Sequence, residues 1–158
     1  MLNEILAKLN QNEKLIAGGG IGVLVGWILG LVLGSHTYGA VSYLGYTSPG
    51  VTVNYFSWGT AGLTASLAVL AAIVGVVVLY LKSAPNMNIT WPMPVVQILL
   101  GLSVAAVALA VLTVLFQLTN NLPDSPVLMY IADLVLVAGG AAMAYGGYME
   151  FTASKTAV

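Results

Sequence analysis

The chain has 158 residues, of which 59% are apolar and 6% charged, with a mean hydropathy of +0.99 and a net charge of −1. Four lysines and five acids cannot keep that much apolar surface in water, so a soluble globular fold is excluded. Arginine and cysteine are both absent; this excludes a phosphate-tracking nucleic-acid surface, and with it disulfides, thiolate metal sites and cysteine nucleophiles.

Residues 1–12 place Leu2, Ile5, Leu6 and Leu9 on one helical face, with Asn3, Glu4, Lys8 and Gln11 elsewhere. That pattern predicts either a short amphipathic helix lying in the membrane interface or a projecting start to the first span. Four stretches then reach the roughly 20 apolar residues needed to cross about 30 Å of hydrocarbon. They are 15–35, 57–81, 94–118 and 127–149. The first follows Lys8 and Lys14 as a signal peptide would, but its apolar run is longer than a usual signal core and no small-x-small site follows. It is therefore read as a retained span.

Turn and cap chemistry separates the spans: Ser83-Ala84-Pro85-Asn86, Trp91-Pro92-Met93-Pro94, and Asn120-Asn121-Leu122-Pro123-Asp124-Ser125-Pro126. Short connections make neighbouring helices antiparallel. An even number of spans puts Lys8, Lys14, Lys82 and Lys155 on one side, which the positive-inside rule makes cytoplasmic. The expected fold is an all-α membrane protein. It is a single domain, an antiparallel bundle of four transmembrane helices with a cytoplasmic segment at 1–14 and a cytoplasmic tail at 150–158.

In the first helix Gly18, Gly22, Gly26, Gly30 and Gly34 recur at every fourth position. Each glycine costs a helix interior about 1 kcal/mol relative to alanine, and close backbone approach by another helix is the usual reason in lipid. The row turns about 40° per step, because four residues exceed the 3.6 of one turn. It favours a crossing partner. Two fates compete for this glycine zipper: small faces within the chain (Ala61, Ala65, Ala68, Ala72 and Gly75, or Ala138, Ala142 and Gly146), or a second copy or another membrane subunit. A lipid chain, flat pigment or quinone is a third occupant.

The segment 36–56 is rich in β-branched and aromatic residues on either side of Thr47-Ser48-Pro49-Gly50. It predicts a small extracytoplasmic β-hairpin in the first outer loop, turning at those four residues. Tyr38, Tyr43, Tyr46, Tyr55 and Trp58 also suit a membrane-interface belt.

Asp133 is the only acid inside a predicted span. Counted from Pro126 it lies about 10 Å below the outer helix end, at the depth of Thr64 and Thr113, which can donate hydroxyl hydrogen bonds to it. These three residues form the candidate intramembrane polar site. One reading has the acid fixing helix register; the other has it conducting ions or protons. Gln97 and Gln117, near the two ends of the third span, reach either headgroups or neighbouring helices. His36 is the only histidine, so no metal site is expected. The sequon Asn88-Ile89-Thr90 falls on the cytoplasmic side. No G-x-S-x-G, H-E-x-x-H, carboxylate pair or phosphate-cradling loop is present, and Gly18-Gly19-Gly20 follows no strand.

The run Asn12-Glu13-Lys14-Leu15-Ile16-Ala17-Gly18-Gly19, the break at Trp91-Pro92 and the close Gly146-Gly147-Tyr148-Met149-Glu150 resemble a loose set of uncharacterised small bacterial four-helix membrane proteins. The resemblance implies the fold and carries over no functional residue. The glycine row departs from that set, whose first helix is bulkier. Topology is also similar to that of claudin-like proteins, but their tryptophan, Gly-Leu-Trp and two-cysteine signature is missing.

The expected role is a non-enzymatic structural or accessory integral membrane subunit of the plasma membrane. Membrane lipids and itself or other integral subunits are its expected partners, and it needs no cofactor beyond a bound lipid. The alternative is an oligomeric channel or transporter using Asp133.

Overall fold

The computed structural model describes residues 7–57, 59–84, 89–119 and 127–156. Its elements are α1 (Gln11–Leu33), β1 (Ser35–Tyr38), β2 (Val41–Tyr43), β3 (Tyr46–Ser48), β4 (Val51–Asn54), α2 (Gly59–Ser83), α3 (Val95–Thr119) and α4 (Met129–Thr156). All four helices are long and apolar enough to cross a membrane. Most of the expected amphipathic start lies outside the described residues, as do Trp58, the sequon's Asn88 and the connection 120–126.

Capping explains where the helices begin. Asn10 accepts from the Glu13 backbone N–H at 2.9 Å while the Glu13 carboxylate accepts from the Asn10 N–H at 2.9 Å. This reciprocal box satisfies two helix-end donors, so α1 starts at Gln11 rather than inside the apolar run. Before α3, the Pro94 carbonyl receives the N–H groups of Gln97 and Ile98. No breaker follows Gly147, and α4 continues through the expected tail to Thr156.

The helices pack in a ring in chain order, closed by α4 against α1, and the diagonals barely touch. Buried residues step alternately by four and three along α2 (Ala61, Ala65, Ala68, Ala72, Gly75, Leu79) and α3 (Leu99, Ser103, Ala106, Ala110, Thr113, Gln117). A 3.5-residue repeat is the spacing of left-handed packing. The centre is filled from α4. The Met143 side chain reaches Gly20 of α1 and the space above Gly75 of α2.

The loop between α1 and α2 is a hairpin, but it turns elsewhere than the sequence predicts. Four short strands form two ladders, β1 with β4 and β2 with β3, and both keep one register, from Ser35 opposite Asn54 to Tyr43 opposite Tyr46. The reversal is at Leu44-Gly45, whose φ angles are +50° and +84°. Two positive φ values in a two-residue loop define the turn whose twist matches paired strands. Thr47 and Ser48 instead belong to β3, while Pro49-Gly50 interrupts the ribbon opposite Gly39-Ala40. Proline has no N–H for a ladder, and a Cβ on Gly50 would lie 2.8 Å from the Tyr38 carbonyl.

The hairpin base is tied to the bundle. Asn54 Nδ2 donates to the Leu31 carbonyl and to Ser35 Oγ, both at 2.8 Å, and its Oδ1 accepts from the Phe56 N–H at 2.9 Å. The Leu31 carbonyl belongs to the last turn of α1, where no helical donor remains.

Leu44 is the misfit of the turn, since a branched side chain in the left-handed region costs roughly 1 kcal/mol. Leu44→Asn should stabilise the hairpin by about that amount without altering its register. Amide exchange of the β2–β3 ladder reads this, and faster exchange would refute it.

Candidate functional site

The glycine row of α1 is not used evenly. Gly18 has nothing within 4 Å of where a side chain would begin. A Cβ on Gly22 would stand 3.0 Å from Gly139 Cα, and one on Gly26 2.5 Å from the Leu136 backbone nitrogen. Gly30 and Gly34 lie under the fully buried Phe56 ring. The row begins outside the bundle, crosses α4 at Gly22 and Gly26, and ends beneath the residue that follows the hairpin. The 40° drift per step accounts for this path.

Residues outside the row complete the contact. Gly19 sits where a Cβ would be 2.7 Å from the Gly139 carbonyl, and Gly146 where it would be 2.7 Å from the Asn12 carbonyl. Contacts that climb α1 descend α4, as antiparallel helices require. Gly140 and Gly147 do the same for α3, against Val107 and Ser103. The doublets Gly139-Gly140 and Gly146-Gly147 are seven residues apart. One member of each turns to α1 and the other to α3, so α4 is the hub of the bundle. Of the small residues expected on α4, Gly146 is buried, Ala142 half-buried and Ala138 exposed, while the five on α2 are all buried.

The three residues of the candidate polar site do not all meet: Thr64 pairs with Thr113, and Asp133 with a fourth residue. Thr64 Oγ1 and Thr113 Oγ1 are 2.9 Å apart and buried; one hydroxyl donates to the other, whose own proton goes to a carbonyl of its helix. Hydroxyls so placed are satisfied in lipid, and the bond across helices contributes about 0.6 kcal/mol. Asp133 bonds neither threonine among the described residues. Its partner is Gln117, whose amide nitrogen, oriented toward the carboxylate, lies 2.9 Å from Oδ1 and 2.6 Å from Oδ2. That orientation follows from the hydrogen-bond pattern. Gln117 thus takes the interhelical fate rather than the headgroup one. It lies four residues after Thr113 on the buried stripe, and that spacing was the available signal.

A third polar group lies at the opposite end, where the chain termini emerge. Lys82 Nζ of α2 reaches Glu13 Oε1 of α1 at 2.6 Å and Glu150 Oε1 of α4 at 3.2 Å. Asn10 Nδ2 donates to Glu150 Oε2 at 3.0 Å. Sequence reasoning used Lys82 for topology alone and missed the cluster. Its signal was the Asn10-to-Glu13 capping spacing together with a lone lysine and a lone glutamate closing two other helices. His36 stacks edge-on against Tyr38, centroids 4.8 Å apart.

No protein-family model, curated protein or solved structure matches the chain. Its chemistry must be judged from these contacts. They hold helices together, and among the described residues the contact with an acid away from any cation is Asp133 with Gln117.

Proposed function

We propose that the chain is a non-enzymatic structural or accessory integral membrane subunit, lying in the plasma membrane with both ends cytoplasmic and the hairpin outside. Inside the bundle the small residues serve helix contact, Lys82 engages Glu13 and Glu150, Thr64 engages Thr113, and Asp133 engages Gln117. What it offers outward is different. The hairpin from Ser35 to Asn54 carries no acid or lysine, and at its tip Tyr43, Leu44 and Tyr46 are 75%, 84% and 86% exposed. That uncharged aromatic tip is the observation that carries the reading, because tyrosine is enriched where proteins meet other proteins. Gly18 on α1 and Gly101 on α3 add bare backbone on the outer faces of two helices, a surface that lets a neighbouring helix approach.

Crosslinking in native membranes followed by mass measurement tests the proposal. The parent should give discrete species heavier than the monomer. Tyr46→Ser or Gly18→Leu should deplete them while leaving the monomer folded. A strictly monomeric product without neighbours would overturn it.

A second reading, an oligomeric channel or transporter, rests on Asp133 lining a groove on the bundle surface. It requires a proton- or cation-dependent flux in reconstituted vesicles that Asp133→Asn abolishes. A parent without flux removes it.

A further inference from the structure

Gln117 of α3 and Asp133 of α4 meet near the hairpin end, both more than nine-tenths buried. The two end atoms of the glutamine amide are interchangeable in space. With nitrogen facing the acid, it donates to both carboxylate oxygens, at 2.9 and 2.6 Å. With Oε1 in the same place, the contact is complete only when the carboxyl carries a proton and donates its O–H. A separation of 2.6 Å suits an O–H donor at least as well as an N–H donor. A lysine partner would fix the acid ionised and a backbone carbonyl would fix it protonated. The glutamine amide can meet either state by turning over, and the orientation with nitrogen toward the acid, that of the ionised carboxyl, is the one that suits both of its ends.

Among the described residues no charge nearby decides between the two states. All of α3, and α1 from Leu15 onward, lack titratable side chains, and those of α2 are Tyr80 and Lys82 at its far end. Toward the hairpin the titratable groups are Tyr130, one turn before Asp133 on α4, His36 and Tyr38 of β1, and the buried Tyr55, whose hydroxyl bonds that of Tyr38; Asp124 lies outside the described residues. Asp133 also forms one wall of an otherwise apolar groove between α3 and α4, with Val114, Tyr130, Leu134, Val137 and Ala138. Leu134 and Tyr130 are themselves exposed on the bundle surface. In a membrane, that surface meets acyl chains.

We infer that Asp133 and Gln117 form a proton-binding pair, open to lipid through the α3–α4 groove, in which the glutamine amide turns over as the carboxyl gains or loses its proton. The inference rests on the helices lying in lipid and is independent of whether the chain is an accessory subunit or a transporter.

Two measurements on the full chain in lipid nanodiscs test it. Dicyclohexylcarbodiimide dissolves in lipid, and a protonated carboxyl adds across its C=N bond without a leaving group. Peptide masses should place the adduct on Asp133, with labelling falling about tenfold per pH unit once the acid is mostly ionised. A water-soluble carbodiimide should leave Asp133 unmodified. In infrared difference spectra a carboxylic-acid band should give way to carboxylate as pH rises, and be absent in Asp133→Asn. The side-chain carbonyl band of Gln117 should move with it, and that shift should vanish in Gln117→Met. Unchanged helical content and thermal midpoint in Asp133→Asn, whose amide can still bond Gln117, establish that the loss is not one of folding. An acid band that never changes with pH, a Gln117 band that stays put, or equal labelling by the water-soluble reagent would each overturn the inference.

Discussion

Gly26→Leu should destabilise the bundle by about 3 kcal/mol, at the upper end of what overpacking usually costs. A Cβ there would meet the Leu136 backbone nitrogen at 2.5 Å and its Cα at 2.7 Å. Carbon atoms rest about 3.5–4.0 Å apart, and backbone cannot rotate out of the way as a flexible side chain can. The helices must therefore part by about 1 Å, and the neighbouring close contacts at Gly19, Gly22 and Gly146 loosen with them. Gly18→Ala is the matched control, since nothing lies within 4 Å of that position. It should leave stability unchanged or raise it by up to about 1 kcal/mol through helix propensity. Reversible unfolding in mixed micelles measures both. A Gly26→Leu protein as stable as its parent would mean that α1 and α4 do not touch there.

The contrast between those two glycines also shows how far sequence carried. Four apolar runs and their breaks were legible because each run is long and apolar enough to cross a membrane, where only helical hydrogen bonding would serve the backbone. The glycine row was legible as close contact, but a spacing of four did not show which members touch. Gly19, Gly139 and Gly146 follow the 3.5-residue repeat of the packed face instead, and they appear only once α4 is placed against α1. The hairpin was legible from Val, Thr and Tyr, yet its turn was not. Leu44-Gly45 lacks the asparagine or aspartate that usually announces such a turn, whereas Thr47-Ser48-Pro49-Gly50 has turn composition and only interrupts a ribbon. Asp133 stood out by residue type. Its partner did not, because matching depth favoured Thr64 and Thr113 while the stripe that buries Thr113 carries Gln117 beside the acid.

Lys82→Met should cost on the order of 2 kcal/mol, less than the 3–5 kcal/mol of breaking a wholly buried pair because water still reaches the lysine. Its side chain is 32% exposed, against 8% for Glu13 and 12% for Glu150. Glu13 accepts from the Asn10 N–H and Lys82, and Glu150 from Lys82, Asn10 Nδ2 and Asn12. Removing the lysine strips one donor from each acid and leaves two like charges facing one another where α1, α2 and α4 converge. The loss therefore comes mainly from the acids left behind rather than from the missing bonds. If so, Glu13→Gln combined with Lys82→Met should recover a large part of it, because a neutral amide keeps the cap on Asn10 and removes the repulsion. A double-mutant cycle on unfolding free energies isolates this coupling. A single-mutant cost below about 0.5 kcal/mol would make the cluster an ordinary surface ion pair, and the three helix ends would then have to be held by packing, such as that of Gly146 against Ile16.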